Sequence, residues 1–302
     1  MCKVLMSIGV KKSKRAANSK FMMASLAHMS SYDKDGLGYV AADGTKIWGE
    51  RWLVNKNAFK VRTSRSGAAQ KVHDIFGNAL SSNEKEYNQF GSGNFMSATS
   101  ILLHTRKATC AKNITNTHPF VIDDTALIHN GVIKNDTKLM AGRKAISTCD
   151  SESILQEYLY NGVNIDPTLV KNLGEVLDGW YVAGLISKDK DGRQIVDVFK
   201  CDDSKLQVAF IKELDNFVLC TTMEILEKTA KDAKMNIEHY DSLKGGMMFR
   251  FDAKTGEKIL EQEFLPECLD RHKSGFYATS EPSSYAGSKS VYSSFNPSGR
   301  GY

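Results

Sequence analysis

No run in this sequence approaches the roughly 20 consecutive apolar residues of a membrane span, so no transmembrane helix is predicted. The opening segment, MCKVLMSIGVKKSKR, has an apolar run too short for a secretory signal, and its charge follows that run instead of preceding it. These absences predict a cytoplasmic protein with no membrane partner. None of the six cysteines, Cys2, Cys110, Cys149, Cys201, Cys220 and Cys268, belongs to a CxxC. Their scatter argues against a thiolate metal cluster, and a chain of 302 residues needs no disulfide framework. The seven histidines form no HExxH or HxxxH pair, so no metal site is expected. Strong charge of either sign is missing too, since the net charge is only +5. Lys11, Lys12, Lys14 and Arg15 form the one tight basic cluster. No zinc-finger spacing or aromatic-rich single-strand motif accompanies it, so it reads as a solvated helix start and not as a nucleic-acid surface.

What is present is ordinary globular material, 41% hydrophobic and 25% charged, enough for one large domain or two modest ones. A strand is expected over residues 3–10. Phe21, Met22, Ser25, Leu26 and Met29 recur at helical spacing and predict a helix over 16–30. Residues 33–38 read as a turn before a strand at 39–42. Asp43-Gly44 then joins it to residues 45–48 as a hairpin. A partly amphipathic helix is expected over 55–76, a polar surface loop over 80–93 and a strand over 99–105. Asp150 reads as the cap of a helix running to Tyr160. Strands follow at 180–186, 194–200, 206–211, 216–221, 237–240 and 247–251, with a helix at 224–234. From about Cys268 the aliphatic residues thin out. Residues 274–302 are rich in Ser, Gly and Tyr and predict a flexible tail. The domain boundary is therefore set at 2–268, with 269–302 as the tail.

Cys2 carries the most chemical information. It follows the initiator Met1, and its small side chain favours removal of that Met. The exposed residue would then hold a thiol and an α-amine whose unperturbed pKa is about 8, a nucleophile and a base in one residue. Alone this pattern is weak. It gains weight from His104-Thr105-Arg106-Lys107-Ala108-Thr109, then Asn116-Thr117-His118-Pro119-Phe120, then His129-Asn130-Gly131-Val132-Ile133-Lys134-Asn135, then Asp150-Ser151-Glu152. Taken singly, each piece has an ordinary explanation. His104 fits a hydrogen-bonded strand histidine, His118 a turn or a pocket, Asn130-Gly131 a turn pair, and Asp150 a helix cap.

In this order, the motifs resemble those of the class II glutamine amidotransferases, which are N-terminal-nucleophile hydrolases. The resemblance spans residues 2–262 and is closest to the stand-alone branch without a fused synthase. It implies an α+β fold, the four-layer αββα sandwich. It implies cleavage of the side-chain amide of glutamine, or of a γ-glutamyl amide, through a Cys2 thioester, with no metal or organic cofactor. Asn130 and Gly131 are similar to the family's oxyanion hole, Arg106 to its α-carboxylate clamp and Asp150 to its α-ammonium acceptor. Thr109 and His118 correspond to pocket-lining positions. A separate synthase subunit or a second copy of the chain would be the macromolecular partner. Two positions depart from the pattern: Lys3 stands where the family has Gly, and Cys110 follows the Thr109 motif. Cys110 and Cys149 flank pocket positions and read as redox-sensitive thiols or, by preference, as buried, inert ones. The alternative reading is a catalytically silent binding or structural protein that keeps the fold.

Overall fold

A computed structural model describes residues 2–32, 35–53, 87–201 and 204–264. In chain order these form β1 (Lys3–Ser7), α1 (Arg15–Tyr32), β2 (Gly36–Ala42), β3 (Ile47–Leu53), β4 (Tyr87–Phe90), β5 (Ser100–Arg106), β6 (Phe120–Ile122) and β7 (Thr125–Ile133). They continue with α2 (Asp136–Leu139), α3 (Ser151–Tyr160), α4 (Val170–Val176), β8 (Gly179–Lys188), β9 (Gln194–Lys200), β10 (Gln207–Ile211) and β11 (Asn216–Cys220). The last elements are α5 (Met223–Ala233), β12 (Ile237–Ser242), β13 (Met247–Asp252) and β14 (Lys258–Glu263).

The strands make two antiparallel sheets, ordered β12-β10-β11-β1-β5-β2-β3-β4 and β14-β13-β9-β8-β7-β6. Alternation along each strand sorts its apolar side chains between two cores, because successive residues point to opposite faces. On β1, Leu5 joins the core formed with Phe21, Met22 and Leu26 of α1 and Ile225 and Leu226 of α5. Its neighbours Val4 and Met6 point the other way, into the core between the sheets, where they meet Ile128, Val182, Val196 and Val198. On the second sheet, Leu127, Ala183 and Leu185 face Ile154, Leu155 and Tyr158 of α3 and Leu173 of α4. Three stacked cores therefore make four layers, helix, sheet, sheet and helix, as expected.

A buried ion pair ties the second helical layer to its sheet. Asp197 on β9 accepts from Arg250 Nε at 2.8 Å and Nη2 at 2.6 Å, and from the Tyr158 hydroxyl of α3 at 2.6 Å. Arg250 also donates to the Val163 and Asn164 carbonyls beyond α3.

Some expectations need correction. β2 begins at Gly36, inside the segment read as a turn. A Cβ on Gly38 would lie 2.0 Å from the His118 carbonyl oxygen, so this glycine serves close backbone approach between segments instead of a turn. The polar stretch read as a loop contains β4, which pairs with β3 from Gly49↔Phe90 to Trp52↔Tyr87. The helix expected over 55–76, the domain boundary at 268 and the tail lie outside the described residues. α2, α4, β6, β7 and β14 were not anticipated.

Candidate active site

The site sits where three neighbouring strands of the first sheet end together. β5 lies between β1 and β2, with Lys3 opposite Thr105 and Gly36 opposite Arg106. Cys2 and Asp35 therefore flank the exit of β5 from either side. The loop that leaves β5 folds back over Cys2. The Lys107 N–H donates to Cys2 Sγ at 3.4 Å, and the Cys2 thiol lies 3.6 Å from the Lys107 carbonyl oxygen. Arg106 is almost fully buried. Its Nη2 donates to the Ala111 carbonyl at 3.0 Å and the Cys110 carbonyl at 3.3 Å, and lies 3.2 Å from Cys110 Sγ. Asn116 ties this loop to the next one. Its Nδ2 donates to the Ala111 carbonyl and to Thr148 Oγ1, while its Oδ1 accepts from Thr148 N–H.

The second sheet supplies the opposite wall through β7. Asn130 and Gly131 lie within this strand, opposite Val182 and Tyr181, and do not form the turn that their dipeptide also suggested. Gly131 has φ +153, and a Cβ there would lie 2.1 Å from the Trp180 carbonyl oxygen. Only glycine fits where β7 and β8 run this close. Asp150 immediately precedes α3 but makes no side-chain cap to it. Its Oδ2 accepts from Ile133 N–H at 2.8 Å, and the Cys149 thiol donates to its Oδ1 at 3.4 Å. The carboxylate is thus held between the end of β7 and the start of α3. Glu152 organises the approach to it, accepting from the backbone N–H groups of Ile146 and Ser147.

Three histidines stack between the walls. His104 lies against His118 with ring centroids 3.9 Å apart, and its Nε2 bonds the His129 carbonyl at 2.9 Å. This is the strand-histidine role expected of it. His129 Nδ1 is 2.7 Å from Ser151 Oγ, so β7 is bonded directly to the first turn of α3. Burial keeps all three rings neutral. It pushes His104 down to about 3 and His129 to about 4, the latter against an opposing pull from the Asp150 carboxylate. Burial, with the neighbouring His104, His129 and Arg106, holds His118 well below its ordinary range. Burial and the Asp150 carboxylate likewise push the Cys149 thiol upward, so it is inert as a nucleophile.

These groups enclose a pocket of about 290 Å³. Every residue singled out from the sequence lines it: Cys2, Arg106, Thr109, His118, Asn130, Gly131 and Asp150. Lys107, His129, Cys149, Ser151 and Trp180 line it as well and were not singled out as site residues. His129 was within reach of sequence reasoning, being part of the His129-Asn130-Gly131 motif. Trp180 was read only as the first residue of the strand expected over 180–186. Among the described residues, Arg106 Nη1, Asn130 Oδ1, His129 Nε2 and both His118 ring nitrogens are buried without a hydrogen-bond partner. Buried polar atoms normally have partners, so several orphans around one cavity mark a site built for a polar occupant. No group of His, Cys, Asp and Glu among the described residues has the arrangement of a metal site.

Comparison with solved structures places this architecture. The glutamine phosphoribosylpyrophosphate amidotransferase from B. subtilis, solved with ADP and GMP, superposes with a TM-score of 0.57 at 14% identity, over 87% of this chain and 49% of that one. A structure described as the allosteric regulatory enzyme of purine biosynthesis gives a TM-score of 0.57 at 16% identity, over 84% of this chain and 48% of that one. The chain has the N-terminal-nucleophile hydrolase fold. It spans about half the length of these neighbours. No protein-family model and no curated protein sequence matches it.

Proposed function

We propose that this chain is a glutamine amidotransferase-type amidohydrolase. It cleaves the side-chain amide of glutamine, or of another γ-glutamyl amide, through a Cys2 thioester. The observation that carries this reading is the pocket itself. One cavity collects a thiol, a half-engaged guanidinium, a buried carboxamide and a carboxylate. A γ-glutamyl compound presents a carbonyl for the thiol, an α-carboxylate for Arg106 and an α-ammonium for Asp150. Arg106 spends Nη2 on the loop and leaves Nη1 for an anionic ligand.

In the mechanism, Met1 is removed and the Cys2 α-amine takes the thiol proton, directly or through a water. The thiolate attacks the amide carbon. The resulting oxyanion is held by the Asn130 carboxamide and the Gly131 N–H, donors each worth about 3 kcal/mol in such sites. Collapse breaks the C–N bond, and the ammonium returns its proton to the departing ammonia or amine. Water then attacks the γ-glutamyl thioester, with the amine again as base, and releases glutamate and the thiol. Thr109 and His118 shape the pocket around the substrate. No step requires a metal or an organic cofactor. The ammonia is released to solvent or handed to a separate synthase subunit.

The test is incubation with glutamine and a panel of γ-glutamyl amides, following ammonia and glutamate, with N-terminal mass measured in parallel. Wild type should release both products and lack Met1. Cys2→Ala should fold and be inactive. A glutamine-mimicking electrophile should label Cys2 and none of the other cysteines. A chain that retains Met1 and turns over no substrate is the silent binding protein of the alternative reading.

A further inference from the structure

Asp35 lies outside every motif that identifies the site, yet it has more ties to the β5 exit than any strand geometry requires. Its backbone N–H donates to the Arg106 carbonyl at 3.1 Å. Its side chain then reaches past Arg106 to the loop. Oδ2 accepts from Ala108 N–H at 2.8 Å, and Oδ1 pairs with the Lys112 ammonium. One residue thus grips the last residue of β5 and, within the 107–112 loop, its second and its last residue. The carboxylate is mostly buried. Burial opposes its ionisation, but Lys112, the Ala108 N–H and Arg106 outweigh burial and hold its pKa below the ordinary value.

What the loop does makes this grip consequential. Between the residues held by Asp35, Lys107 brackets Cys2 Sγ through its backbone, and Cys110 and Ala111 hold Arg106 Nη2 through their carbonyls. β1, β5 and β2 are adjacent, so Cys2 sits on one side of the β5 exit and Asp35 on the other. The loop spans the gap between them. Letting go on the Asp35 side frees the segment that touches the thiol and the segment that aims the guanidinium. We propose that Asp35 is a positioning residue that fixes the thiol of Cys2 relative to the guanidinium of Arg106 by clamping the 107–112 loop. This rests on the reading of Cys2 as nucleophile and Arg106 as carboxylate clamp.

The experiment compares Asp35→Asn, Asp35→Ala and Lys112→Met with wild type. It uses kcat and KM for the best γ-glutamyl amide, the rate of Cys2 alkylation by iodoacetamide, and the thermal midpoint. Asp35→Asn retains an acceptor for the Ala108 N–H and loses only the charge pair, so it should behave like Lys112→Met. Asp35→Ala loses both contacts. It should lower kcat/KM by about 100-fold, the scale of a misplacement near 1 Å, with KM raised as well as kcat lowered, and should change the alkylation rate. Asp35→Asn should recover most of that loss. A drop in thermal midpoint with kcat, KM and alkylation all unchanged in the folded protein would overturn the proposal. So would equal losses in Asp35→Asn and Asp35→Ala. The alkylation rate needs no turnover. A wild type inactive on every amide would therefore defeat the functional reading, whereas unchanged alkylation in Asp35→Ala would defeat the clamp.

Discussion

Replacing Asp197 by Asn tests the reasoning about the second helical layer most directly. The change keeps side-chain shape and removes one charge from a group that is fully buried. Arg250, 3% exposed, would keep its charge and its bonds to the Val163 and Asn164 carbonyls but lose its only buried counter-ion among the described residues. Breaking one side of a buried pair costs about 3–5 kcal/mol because the remaining charge is uncompensated. Tyr158 exchanges a charged acceptor for a neutral amide at the same time and keeps the Ser187 hydroxyl at 3.2 Å. Against a typical total stability of about 5–15 kcal/mol, this is about a fifth of the total or more. Equilibrium urea unfolding followed by circular dichroism and by tryptophan fluorescence measures it, and coincidence of the two curves checks that one transition is being read. A loss below about 1 kcal/mol would show that the pair behaves like a solvated surface bridge, and the burial argument would fail. The double change of Asp197→Leu with Arg250→Met should recover most of the loss, since an apolar replacement of similar volume leaves no buried charge. Because the pair holds the far end of α3, Asp197→Asn should leave the rate of Cys2 alkylation unchanged in the folded protein.

Other expectations concern the pocket. Arg106→Lys keeps the charge but loses the planar fork and its simultaneous bonds to the loop carbonyls. It should raise KM for glutamine by tenfold or more, on the order of 1.4 kcal/mol, in steady-state assays. Asp150→Asn should raise KM similarly by losing the ammonium partner, and unchanged glutamine binding in both variants would remove the γ-glutamyl substrate class. The pocket histidines His118 and His129, and His104 behind them, have native pKa values below the ordinary 6.5, so unfolding makes them more basic. Their contribution to stability is complete above about pH 6.5 and is lost as pH falls, for His129 through about 4. NMR should show no titration of these rings between about pH 5 and 8; a protonation midpoint inside that window would contradict their burial.

Much of the layered fold was legible because its central strands are apolar on both faces or alternate cleanly. β1, β5, β8, β9 and β11 each feed two cores with successive residues, and all were expected near their observed limits. Edge strands give no such signal. β4 reads Tyr-Asn-Gln-Phe and β14 Lys-Ile-Leu-Glu-Gln-Glu. Each has a neighbouring strand on one side only in its sheet, so neither needs an apolar pattern on both faces. The four-layer arrangement itself came from the motif resemblance. Periodicity alone announces sheets and helices without saying which faces meet.

The site divides in the same way. Residues whose chemistry is intrinsic, such as the Cys2 thiol, the Arg106 fork and the Asn130 carboxamide, could be picked out by type and order. Residues whose role depends on where the backbone goes could not. Asp150 shows both sides: motif order picked it out as a pocket residue, but its place before a helix suggested a cap, whereas the structure turns its carboxylate away to accept from Ile133 and Cys149. A carboxylate that caps its own helix is satisfied within one element. One that joins the end of β7 to the start of α3 sets the spacing of a pocket between them. Gly38 makes the same point from the backbone side. In sequence it signalled a turn, yet its lack of a side chain lets β2 run within contact of His118, which lines the pocket. Asp35 lies at the start of that strand. Asp150 and Asp35 thus both serve the site by joining chain segments that are distant in sequence. A pattern of residue types can point to the reacting groups, but the spacing between them depends on such contacts across the fold.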